Sequence, residues 1–192
     1  VDRWTRNMYA EGQLLDTSHA DKMPDGFRIK VPSMNGIVDT NNILERSVGS
    51  FYGWMSANDG QQIRPKPVEG LPMLGRSGIM HCCTANGART LYSVWDSIVE
   101  RREDTTRVNL LLNRSSPWLT VRSYLPAFGK VELEIIDAPT VAVRLPEWVD
   151  VKTVCVQVGD SEHDISVVEQ WIEISGLLSG DAVTIELDVP ER

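Results

Sequence analysis

Apolar and polar positions change their rhythm twice along the chain. Over residues 1–15, Trp4, Met8, Tyr9, Leu14 and Leu15 fall at helical spacing, with Arg3, Arg6 and Glu11 on the polar side. The rhythm then dissolves from Asp16 to Gly78 into Gly, Pro, Asn, Asp and Ser, broken by a short helical pattern over 42–51. A loop of that length belongs in a compact domain only when it is ordered over a surface or serves a site. Phe51, Tyr52, Trp54 and Met55 give it apolar anchors. Helical spacing returns over 84–101, where Ala88, Leu91, Tyr92, Trp95, Ile98 and Val99 mark one buried face, with Thr84 or Asn86 as the cap.

Beyond 105 the period drops to two. Segments 108–112, 119–124, 131–135, 141–145, 154–158, 171–174 and 183–187 follow one another, most of them alternating apolar with polar residues. Short strands separated by Gly, Pro and Asp turns predict an antiparallel β-sandwich or barrel. The organisation expected is therefore α+β, with a helical part and its long loop over 1–104 and a β-sandwich over 105–192. Cys155 is expected to point into the sandwich.

With 192 residues and 42% apolar content, the chain is long enough to bury a core. A formal net charge of −8, with no basic run, argues against nucleic acid and anionic membranes as partners. A neutral ligand such as a sugar is compatible with it. No apolar stretch is long enough to span a bilayer. Three cysteines, two of them adjacent, do not make a disulfide framework. They point to a reducing, cytoplasmic compartment, or to an exported protein that uses its thiols otherwise. The chain opens with Val inside a helical pattern, as though cut from a longer protein, so export stays open.

Cys82 and Cys83 are where the sequence asks for chemistry. A disulfide between neighbouring cysteines closes a strained ring, so the pair is expected to be reduced. Thiols at a helix N-terminus feel its positive end, which favours the thiolate that attacks electrophiles and binds metal. The other reading is two small buried hydrophobes. His81 precedes the pair and is a candidate contact for a sugar hydroxyl or a metal. Trp54 and Asp59, with Asn58, have the composition of an aromatic sugar platform with hydroxyl partners. A buried loop anchor explains Trp54 equally well. His19 and His163 are isolated and expected to face solvent. Glu11 and Glu45 are the carboxylates that offer themselves as surrogate metal ligands, and a helix-surface charge is the reading that ranks ahead for each.

The run from His81 to Arg89, followed by Trp95, Val108-Asn109-Leu110 and Arg144-Leu145-Pro146-Glu147-Trp148, resembles the β-L-arabinofuranosidase-type enzymes of glycoside hydrolase family 127 and their uncharacterised relatives. The N-terminal stretch from Arg3 to Tyr9 is similar to the family's helix ahead of the pair. The resemblance implies the terminal helices of an α/α six-hairpin barrel followed by a β-sandwich. It also implies that Cys82 is the nucleophile of a retaining mechanism, that Cys82 and Cys83 bind zinc, and that the substrate is a carbohydrate. His81, Trp54 and Asp59 would then lie near the sugar. Barrel helices without their neighbours would leave Trp4 and Tyr92 partly exposed and promote self-association. The chain departs from the family pattern in lacking a Glu-x-Cys element and in carrying Thr84-Ala85 where many members have prolines. A non-catalytic carbohydrate-binding or scaffold fragment with vestigial thiols is the alternative, and a thiol-redox role ranks behind both because Cys-Cys lacks the two-residue redox spacing.

Overall fold

A computed structural model of the chain describes residues 4–18, 42, 45–52 and 81–190. The chain divides into two compact units, one over Arg3–Leu91 and one that includes Tyr92–Arg192.

The strand-bearing unit holds eleven strands among the described residues. They are β1 Val99–Arg102, β2 Thr105–Val108, β3 Arg114–Ser115, β4 Leu119–Ser123, β5 Lys130–Ile135, β6 Thr140–Arg144, β7 Cys155–Val158, β8 Ser161–Glu162, β9 Ser166–Val168, β10 Trp171–Ser175 and β11 Ala182–Glu186. The first sheet runs β1-β2-β6-β10-β9 and the second β3-β4-β5-β11-β7-β8. Val108, Val143, Ile172 and Ile174 from the first sheet join Leu119, Val131, Leu133, Val183 and Ile185 from the second in one buried cluster. That shared core makes the arrangement a β-sandwich. Each fully buried aliphatic side chain contributes roughly 1.5–3 kcal/mol by leaving water.

Gly129 permits one close approach in the second sheet. Its carbonyl accepts the Leu187 amide at 2.7 Å. A Cβ at Gly129 would collide with the Leu187 carbonyl.

Several expectations need correcting. The sandwich is not wholly antiparallel, because β2 and β6 run parallel, Thr106 opposite Val141. Strands β3 to β5, in the other sheet, intervene between them, which gives the chain the length a parallel return requires. The helix expected over 84–101 is α1, His81–Asp96, so it opens before the cysteines and ends earlier. Ile98 and Val99 are buried at 2% each, but in the sandwich, and β1 starts there. Thr84 and Asn86 consequently lie inside the helix and do not cap it. Leu110 and Leu111 are buried outside any strand. Cys155 does not point inward. In β7 it is Val156 that is buried, and alternation leaves Cys155 half-buried on the other face. His163 is also half-buried, with its Nε2 3.1 Å from the Ser175 carbonyl.

Two motif elements turn out to be structural in this unit. The Asn109 Nδ2 donates to the Ser97 carbonyl at 3.0 Å, just past the end of α1. Leu145 is buried and Trp148 packs against the core where the chain leaves β6.

In the Arg3–Leu91 unit the expected first helix is short and irregular. A π-helical turn over Thr5–Tyr9 passes into a 3₁₀ turn over Ala10–Gly12, and Gln13 is already extended. Gln13 then bridges to Phe51 in antiparallel fashion. The Leu14 amide donates to Ser50 at 2.8 Å and the Tyr52 amide to Gly12 at 2.9 Å. The helical pattern over 42–51 is represented by a 3₁₀ turn at Glu45–Ser47. Pairing of this segment with Gln13 competes with helix and pulls Phe51 and Tyr52 into burial.

Candidate functional site

The opening turns of α1 are fixed by side chains whose mutual contact the sequence reading did not foresee. Gly87 lies against Phe51 so closely that an added Cβ would sit 2.5 Å from the ring. Tyr9 stacks on the same ring with centroids 5.2 Å apart and donates its hydroxyl to the Gly87 carbonyl. Burial pushes the Tyr9 phenol above its ordinary value, against the pull of hydrogen bonds to Thr90 and Leu91, so it stays a neutral donor. Thr84 Oγ1 donates to the Phe51 carbonyl at 3.2 Å. Phe51, Tyr9 and Thr84 therefore hold one side of the helix start. A glycine inside a helical pattern is the signal that marks such a close contact.

Cys82 and Cys83 occupy the first turn that this contact holds in place. Cys82 is exposed and Cys83 half-buried, and both are reduced. Their sulfurs stand 3.8 Å apart, far outside the roughly 2.05 Å of a disulfide bond. Asn86 Nδ2 donates to the Cys82 carbonyl at 2.8 Å, leaving the thiol outside that bond.

The sequence candidates do not all converge. His81 is the first residue of α1 and adjoins the pair in the chain. Trp54 and Asp59 lie outside the described residues. Glu11 and Glu45 are exposed on separate 3₁₀ turns. Among the described residues no group of three or more His, Cys, Asp or Glu side chains gathers to hold a metal. The thiol pair is therefore two donors, with the distance suited to a shared cation. Two sulfurs each about 2.3 Å from a tetrahedral zinc are separated by about 3.8 Å, the spacing found here.

Apolar side chains along α1 are left open. Leu91 is 41% exposed, Tyr92 63% and Trp95 45%, and Trp4 in the N-terminal turn is 64% exposed. The exposure expected of Trp4 and Tyr92 is present. No helix among the described residues is long and apolar enough to cross a membrane.

No family model matches the chain, and no curated protein matches it. Solved structures similar to it include a family 127 β-L-arabinofuranosidase from Geobacillus stearothermophilus T6, at 20% identity and a TM-score of 0.48 over 56% of this chain and 19% of that one. A second family 127 β-arabinofuranosidase is similar at 20% identity and a TM-score of 0.46, over 56% of this chain and 21% of the other. A third protein, described as a glycoside hydrolase, shows 17% identity and a TM-score of 0.49 over 66% and 23%. The chain thus spans about a fifth of the length of these proteins. Overlaps this slight define neither family nor activity, which rest on the chain's own residues.

Proposed function

We propose that this chain is part of a retaining glycoside hydrolase that releases a terminal sugar such as β-L-arabinofuranose, with Cys82 as nucleophile. The observation that carries the reading is the reduced thiol pair in the first turn of α1, sulfurs 3.8 Å apart. Cys82, exposed, suits attack on a substrate, while Cys83, half-buried, suits a ligand. Zinc bound by Cys82 and Cys83 would keep the attacking sulfur as thiolate near neutral pH.

In the reaction, Cys82 Sγ bonds to the anomeric carbon as the bond from that carbon to the leaving oxygen breaks. A carboxylic acid supplied outside the described residues protonates that oxygen. The same group then takes a proton from water, which displaces the sulfur with a second inversion and so restores the original configuration. Open apolar side chains at Trp4, Leu91, Tyr92 and Trp95 support further barrel helices, or a second copy, as cover.

The test is made in the enzyme that contains this chain, with an aryl β-L-arabinofuranoside as substrate. Cys82→Ser should lower turnover roughly a thousandfold or more. Cys83→Ser should lower zinc content and turnover together, and Cys155→Ser neither. Near-normal turnover by Cys82→Ser would leave the pair a structural feature.

A further inference from the structure

The outward face of the first sheet carries a depression that the thiol chemistry does not use. The register aligns Arg107 of β2, Ala142 of β6, Glu173 of β10 and Ser166 of β9 in one row across four strands. Their neighbours Val108, Val143 and Ile172 point into the core, so this row points out. Trp171 and Val168 pair in the adjoining row on the same face. Ala142 is the floor, a single methyl among longer side chains. The result is a depression of about 230 Å³ lined by these six residues.

Its chemistry is mixed in a particular way. The half-buried Trp171 gives an aromatic wall, continued by Val168, which is 66% exposed. The Arg107 guanidinium lies over the indole, 5.4 Å from its centroid, which fixes the long side chain at the rim. Arg107 and Glu173 stand on either side of Ala142. Among the described residues neither side chain has a hydrogen-bond or ion-pair partner. A donor fork, a carboxylate acceptor and a hydroxyl therefore converge beside an apolar wall.

We infer that this depression is a sugar-binding site, taking one ring of a neutral carbohydrate. The C–H face of the ring packs along Trp171 and Val168, Arg107 donates to ring hydroxyls, and Glu173 and Ser166 accept from them. Arg107 and Glu173 cancel in charge, so the site has no pull on a simple anion or cation, and the chain's net charge of −8 opposes phosphates. The volume is below the ~300–1,000 Å³ of pockets for drug-sized ligands, which limits the occupant to about one ring. An open, single-ring site of this kind binds with a Kd on the order of 1 mM. The inference is independent of the thiol pair and survives if that pair proves structural.

The experiment is ¹H–¹⁵N NMR of the full chain with the methyl glycosides of L-arabinose, D-galactose, D-glucose and D-mannose. Each is added to about 50 mM, where a millimolar site is nearly saturated. At least one should move the Trp171 indole N–H and amides of β2, β6, β9 and β10 along a saturable curve. Trp171→Ala and the exposed-site variant Glu173→Gln should each weaken that binding by about fivefold or more. The proposal is overturned if no glycoside moves these resonances, if Glu173→Gln binds as well as the parent, or if only glycine or acetate, added as charged probes, produces the shifts.

Discussion

The two ends of helix α1 are held by opposite means. At its C-terminal end Arg114, with a side chain only 10% exposed, reaches the last carbonyls. Its Nη1 donates to Trp95 at 2.8 Å, to Asp96, and to Val99 at 3.2 Å, and its guanidinium stacks 4.4 Å from the Trp95 ring centroid. One cation therefore joins the Ile98 amide at the Trp95 carbonyl, reaches the Asp96 carbonyl and the first carbonyl of β1, and complements the helix dipole. At the N-terminal end nothing charged among the described residues closes the helix. Aromatic packing by Phe51 and Tyr9 supports it, and the sulfurs of Cys82 and Cys83 are left beside the positive end. The difference teaches where each kind of force is used: a buried cation gathers the carbonyls at one end, and aromatic packing supports the other, where the thiol pair stands.

The strongest way to break the comparison is at the paired end. Arg114→Met keeps the length of the side chain but removes the guanidinium from the Asp96 and Val99 carbonyls and from Trp95, whose carbonyl keeps the Ile98 amide, and should cost about 2–4 kcal/mol in chemical denaturation. A loss below about 0.5 kcal/mol would mean that water replaces the guanidinium without penalty.

The propped end responds less, because two effects oppose each other. Gly87→Ala gains about 1 kcal/mol of helix propensity. It also drives a methyl group into the Phe51 ring and its Cβ, 2.5–2.8 Å away, at a typical overpacking cost of about 1–3 kcal/mol. The net expectation is a loss of about 1 kcal/mol in chemical denaturation. Net stabilisation would show that Phe51 is free to move aside.

Much of the sandwich was legible and some of it was not, for definite reasons. Alternation located β4, β5, β6, β7, β10 and β11 because each has one buried face. Strand β1 escaped because Ile98 and Val99 continue the helical spacing of Leu91 and Trp95, and only the turn at Ser97 separates the two. β3, β8 and β9 have two or three residues, too few for a period to register. The parallel pairing of β2 with β6 is a matter of partner choice, which periodicity does not encode. The thiol pair was legible as a motif. Its support by Phe51, Tyr9 and Gly87 joins residues 36 or more apart in the chain, and the row through Arg107, Ala142, Glu173 and Ser166 exists only after four strands assemble.

The smallest effect is expected on the outer surface of the second sheet. The Glu132 carboxylate is held below its ordinary range by the hydrogen bond from Lys130 at 2.6 Å and then by that from Tyr124 at 2.7 Å, while slight burial opposes them. A depressed carboxylate contributes stability above its unfolded value, about 4.3, and loses it as pH falls through the lower folded value. The pair is solvent-exposed, so Glu132→Gln should shift Tm by about 1 °C or less at pH 7, and by nothing once both forms are protonated near pH 2. A Tm difference that grows on acidification would reverse the sign of this account.

The central claim is that Cys82 and Cys83 act together as a metal-ready thiolate pair. Titration of the reduced chain with cobalt(II), a spectroscopic substitute for zinc, tests it most directly. The account predicts a sulfur-to-cobalt charge-transfer band that is lost on Cys82→Ser and on Cys83→Ser and kept on Cys155→Ser. With two of the usual four ligands present among the described residues, the binding should be weak. No such band, or one that survives either substitution in the pair, would contradict it.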